Sequence, residues 1–133
     1  MVVQYLYLSR VDWECVVFYG AKATDADVIL KELENLGCKG ETLENARINL
    51  LSSTMNHGLT FSRYSKRKSV MVIGEASSPK EFSNTYNHEK GHLASHIADA
   101  LNIEPMSEDY QYLAGDIAEE TWYVFASFVC GCH

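Results

Sequence analysis

Ser77-Ser78-Pro79-Lys80-Glu81-Phe82-Ser83-Asn84-Thr85-Tyr86-Asn87-His88-Glu89-Lys90-Gly91-His92-Leu93-Ala94-Ser95-His96 is the stretch from which the fold is read. Ser78 is placed to cap a helix, Pro79 suits its first position, and Glu81 completes a capping box. Phe82, Tyr86, Leu93, Ile97 and Leu101 recur as one apolar stripe, which predicts a helix running to about Leu101. Glu89 falls beside that stripe, and His88, His92 and Asp99 fall on a neighbouring line at its margin. Immediately upstream, Ser69-Val70-Met71-Val72-Ile73-Gly74 reads as a strand. A strand feeding a long amphipathic helix, with histidines where core meets solvent, sets the frame.

Working outward, Leu59-Thr60-Phe61-Ser62 pairs with Ser69 to Gly74 as a hairpin across Arg63-Tyr64-Ser65-Lys66-Arg67-Lys68. That link is the only basic cluster, and a solvated turn guarding a sheet edge accounts for it better than a phosphate site. Val2 to Ser9 and Val11 to Tyr19 read as two further strands. Thr24 or Asp25 can cap a helix carrying Val28, Leu30, Leu33 and Leu36, which Gly37 terminates. A second helix is expected from Glu41 to Ser53, before Asn56-His57-Gly58, and a last one from Glu108 to about Phe128. The expected fold is α+β: a small antiparallel sheet packed by the two C-terminal helices, with the two earlier helices covering another side. With 133 residues the chain is one domain, 1–133.

Composition narrows the function. The net charge of −7 argues against nucleic acid as a partner, because phosphate binding needs a positive field. No apolar run approaches the roughly 18 residues of a membrane span. The N-terminus lacks a secretion signal, so the four cysteines are expected as reduced thiols in a cytoplasmic protein.

His88-Glu89-x-x-His92 is the motif that carries chemistry. Two histidines four apart share a helical face and can reach one Zn²⁺ at about 2.0–2.1 Å. The glutamate beside the first ligand is placed to take a proton from the attacking water and pass it to a leaving amine. Chance puts such a pattern somewhere in a chain of this composition roughly 2% of the time, so its position on the core–solvent margin carries weight beyond the match itself. Catalytic zinc needs a third protein ligand. His96 lies two turns from His88, about 12 Å along a continuous helix, and reads as a packed or supporting histidine. Carboxylates on the following helix are better candidates: Glu108, with Gly115 on its line to let the helices approach, and Asp116 and Glu120 as rivals opposite His92 in an ideal hairpin.

His88 to His96 followed by Glu108-Asp109-Tyr110-Gln111-Tyr112-Leu113-Ala114-Gly115 resembles compact HExxH proteins of the ImmA/IrrE-like metallopeptidase kind. It is also similar to small gluzincin-like proteins common in bacteriophages and gut Bacteroidetes. In those, HExxH is followed after about fifteen residues by a glutamate leading an E-x-x-A-Y-L-x-G helix. Gln111 stands where that pattern has alanine. The resemblance covers about Ser69 to Gly115 and implies that His88, His92 and Glu108 bind zinc, that Glu89 is the base, and that the fold is a minigluzincin.

As a peptidase the protein would act on a peptide or protein substrate added as a strand to the sheet edge, for which Val70 to Ile73 is expected. Tyr112 or His57 would donate to the oxyanion. The competing reading is a non-catalytic binding protein whose structural zinc is closed by His57, Cys130, Cys132 or His133. Trp122, Tyr123, Phe125 and Phe128 would then serve as core or as a homodimer interface. A separate metal at Cys130-Gly131-Cys132-His133 is the third.

Overall fold

The structure, a computed structural model, describes residues 1–52 and 58–130. Ser53, the expected end of the second helix, and His57, Cys132 and His133 lie outside the described residues. The chain forms β1 (Val2–Leu8), β2 (Trp13–Ala21), α1 (Ala26–Leu36), α2 (Gly40–Leu51), β3 (Leu59–Arg63), β4 (Lys68–Gly74), α3 (Pro79–Leu101) and α4 (Glu108–Val129). It is an α+β fold with one four-stranded mixed sheet, in the order β1-β2-β4-β3.

The sheet departs from the antiparallel expectation at its centre. β1 and β2 form an antiparallel pair, as do β3 and β4, but β2 and β4 run parallel, with Val16 opposite Val70 and Phe18 opposite Val72. β4 is therefore an inner strand, and the edge beside it is β3. The continuous apolar run Val70 to Ile73, expected at the edge, is the signature of a strand buried on both faces. Alternation divides it: Val70 and Val72 join Val16, Phe18, Ile29 and Leu33 under α1 and α2. Met71 and Ile73 join Val17, Tyr19, Leu93, Ile97 and Ile117 under α3 and α4.

Local signals hold where backbone chemistry is specific. Ser78 accepts from the Glu81 N–H at 3.2 Å, with Pro79 opening α3. Glu81 reaches back to the Ser77 N–H at 3.1 Å rather than to Ser78. Asn102 ends α3 in the left-handed region at φ 55°, a conformation that asparagine tolerates. Ahead of α1, Asp25 accepts from the Lys22 N–H across a short 3₁₀ turn, and the buried positions are Ala26, Ile29, Leu33 and Leu36. Val28, expected inside, is 59% exposed. The basic link is structural: Arg63 donates to the Leu36 carbonyl, and Arg67 to those of Val11 and Asp12. Among the described residues no helix is long and apolar enough to cross a membrane.

Truncating Leu93, fully buried where α3 meets the sheet, should cost about 2–5 kcal/mol. Val28→Ala should stay within about 0.5 kcal/mol of wild type. Urea unfolding of Leu93→Ala and Val28→Ala checks both, and equal losses would contradict this packing.

Candidate metal centre

α3 lies over β4 and β3, while α4 lies over the β1 side of the same face. Gln4 of β1 donates to the Glu120 carbonyl at 2.8 Å. The Tyr86 and Thr121 hydroxyls meet at 2.5 Å between the helices, and Phe125 stacks on Tyr86 at 4.0 Å. With Tyr86 turned to α4 and Leu93 to the sheet, the 100° step of the helix carries His88, His92, His96 and Asp99 to the opposite flank, above β3. Two contacts fix that flank: Ser62 of β3 bonds His96 at 2.7 Å, and Tyr64 donates to Asp99 at 3.1 Å.

The His88 and His92 Nε2 atoms converge to 3.1 Å, with the rings edge to face. Two nitrogens sharing a tetrahedral zinc stand about 3.3–3.4 Å apart, so the pair fits one ion after a shift of a few tenths of an ångström. The same separation suits an N–H···N hydrogen bond between the rings. Both side chains are exposed.

Glu89 points the other way, under the start of β3. It is 4% exposed, and its Oε1 accepts from the Thr60 hydroxyl at 2.8 Å. The fit is tight. A Cβ on Gly58 would stand 2.6 Å from Glu89 Cγ and 2.1 Å from the Val72 carbonyl oxygen, so no larger residue fits there without shifting the backbone against β4. Asn49 of α2 donates to the Gly58 carbonyl at 3.5 Å.

His96 closes a buried polar chain. Trp13 Nε1–H donates to Ser69 Oγ at 2.9 Å, Ser69 and Ser62 hydroxyls lie 2.6 Å apart, and Ser62 meets His96 Nδ1. Indole is only a donor, so fully buried Ser69 accepts from Trp13, and the chain continues through Ser62 to His96 Nδ1. Burial, reinforced by His92 and opposed by Asp99, holds the His96 pKa below the usual histidine range.

The α4 candidates stand elsewhere. Glu108 occupies the exposed first turn of α4. Tyr112, one turn on, packs under Arg10 of the β1–β2 turn, and Asp116 pairs with the same Arg10 at 2.7 Å. Glu120 lies beside β1 through its carbonyl. Among the described residues no three His, Cys, Asp or Glu side chains form a group that could hold a metal ion. Thr60, Ser62, Ser69 and Trp13 form the supporting shell that sequence reasoning missed. Their only signal was alternation of small polar residues with apolar ones in two short strands. Cys130 is exposed at the end of α4.

A scan against family models gives no match, and neither do the curated proteins or the solved structures.

Thr60→Val leaves the buried Glu89 carboxylate without its hydroxyl donor and should cost about 1.5–3 kcal/mol. Chemical denaturation at neutral pH measures it, and a loss near zero would show that the bond contributes nothing. For His96, the depressed folded pKa means that the unfolded chain binds the proton more readily. The stabilising term is therefore whole above the unfolded pKa of about 6.5 and is lost as pH falls toward the folded value. With chelator present, melting temperatures of His96→Gln should fall less steeply than wild type between about pH 7.5 and 5.5. Parallel slopes would refute the assignment.

Proposed function

We propose that this chain is a cytoplasmic zinc-dependent peptidase of the compact HExxH kind, with the metal on His88, His92 and Glu108 and the proton carried by Glu89. The observation behind this reading is the convergence of two imidazole nitrogens at 3.1 Å on the flank of α3 that overlooks the edge strand β3. Bound there, zinc would supply a Lewis acid for the scissile carbonyl and lower the pKa of water.

The chain's own groups supply the rest. Glu89 accepts the proton of the attacking water and returns it to the departing nitrogen. Thr60 sets the direction of its carboxylate. Among the described residues, β3 offers an unpaired backbone edge to an extended peptide. Two of the three ligands already converge, and Glu108 in the first turn of α4 is the third that this reading adds. Buried, free Cys15 and Cys38 accord with a reducing compartment.

A second reading, a non-catalytic binding protein with the same histidine pair, is favoured by the enclosure of Glu89. A base that is 4% exposed and already bonded to Thr60 must be uncovered before it meets a water.

Elemental analysis of tag-free protein separates the readings. Wild type should carry about one zinc, and His92→Ala and Glu108→Ala each much less. Undiminished zinc in Glu108→Ala would move the third ligand elsewhere, to Asp116 or Glu120. On a mixed peptide library Glu89→Gln should lower turnover by about a hundredfold or more. Bound zinc with no turnover would leave the binding reading, and no zinc in wild type, even after zinc is added back, would remove the enzyme reading and leave a binding module with a decayed HExxH.

A further inference from the structure

The face of α4 turned away from α3 carries a second feature, independent of the histidines. α4 holds five carboxylates, Glu108, Asp109, Asp116, Glu119 and Glu120, and no lysine or arginine. One cation sits on it from elsewhere in the chain. The Arg10 guanidinium lies 4.9 Å from the centroid of the Tyr112 ring, and it donates to both Asp116 oxygens, at 2.7 and 3.4 Å. Tyr112 and Asp116 are four apart, so ring and carboxylate clamp the guanidinium from one helical face.

The same pair recurs one heptad on. Glu119 and Tyr123 are four apart, in reversed order, and seven residues return to nearly the same face about 10 Å along the axis. Trp122 and Glu120 flank them. Tyr123 is 86% exposed and Trp122 57%, and among the described residues no cation pairs with Glu119 or Glu120. Phe125 and Phe128 instead pack on Phe82, so the aromatic end of α4 divides cleanly into a core side and an outward side.

We propose that Glu119, Trp122 and Tyr123 form a docking site for an arginine side chain presented by a partner protein, built on the plan by which Tyr112 and Asp116 hold Arg10. Guanidinium is the matching group because it stacks on an aromatic face while its N–H fork meets a carboxylate, whereas an ammonium does only the second well. The negative field of α4 and of the chain draws such a partner in.

The test titrates a hexa-arginine peptide into ¹⁵N-labelled full-length protein and follows the Trp122 indole and the 119–123 amides, with buried Trp13 as internal control. Saturable shifts confined to that end of α4 are expected, with hexa-lysine binding about three- to fivefold more weakly. Tyr123→Ala and Glu119→Gln, both surface changes, should each weaken binding about fivefold with melting temperature unchanged. Absence of shifts at millimolar peptide would overturn the proposal. So would equal binding of hexa-lysine with Tyr123→Ala unaffected, which would mark a diffuse acidic field. Concentration-dependent self-association through Trp122 without peptide would give the face to a second copy instead.

Discussion

Pairing β4 between β2 and β3 is the constraint on which the molecule rests. Val70 and Val72 can be buried only if α1 and α2 cover one face, and Met71 and Ile73 only if α3 and α4 cover the other. Once β4 is central, the helix that follows it closely packs over β4 and its hairpin neighbour β3. The next helix is left the β2 and β1 side. The Trp13–Ser69 bond between β2 and β4, both ends fully buried, ties the two halves of the sheet through side chains as well as backbone. An unmade donor in that position would carry the full desolvation penalty.

The chemistry follows from that placement. Leu93 and Ile97 face the sheet, so Glu89 enters the same interface near its edge and finds Thr60. His88 and His92, further round the helix, emerge above β3. Adjacent residues of one motif thus meet very different surroundings: two solvent-facing imidazoles available to a metal, and a carboxylate held dry by its neighbours. His96, on the same line, has committed Nδ1 to Ser62 and lies too far along the axis to join His88.

Element positions were legible because caps, turn residues and periodicity act locally: Ser78, Pro79 and Glu81 announce α3 without reference to the rest of the chain. Sheet order was not. Val70 to Ile73 reads the same at an edge or a centre, and only the burial of both its faces, a property of α1 and α2, decides between them. The HExxH spacing fixed which nitrogens could converge. It said nothing of the flank they would occupy, because that depends on which side α4 docks. Trp122 and Tyr123 were likewise indistinguishable from Phe125 and Phe128 until α3 gave the helix an inside.

The position of Glu108 is locked by hydrophobic packing rather than by anything near Glu108 itself. Five residues separate it from fully buried Leu113, which puts the two about 140° apart on the helix. Rotating α4 about its axis would swing Leu113 and Ile117 out of the core and break the Tyr86–Thr121 bond. Sliding α4 along its axis would unstack Phe125 from Tyr86. Each buried aliphatic exposed costs about 1.5–3 kcal/mol, a large share of what holds a domain of this size together. The place of Glu108 is therefore set by the packing of the whole helix pair, through Leu113, Ile117, Thr121 and Phe125.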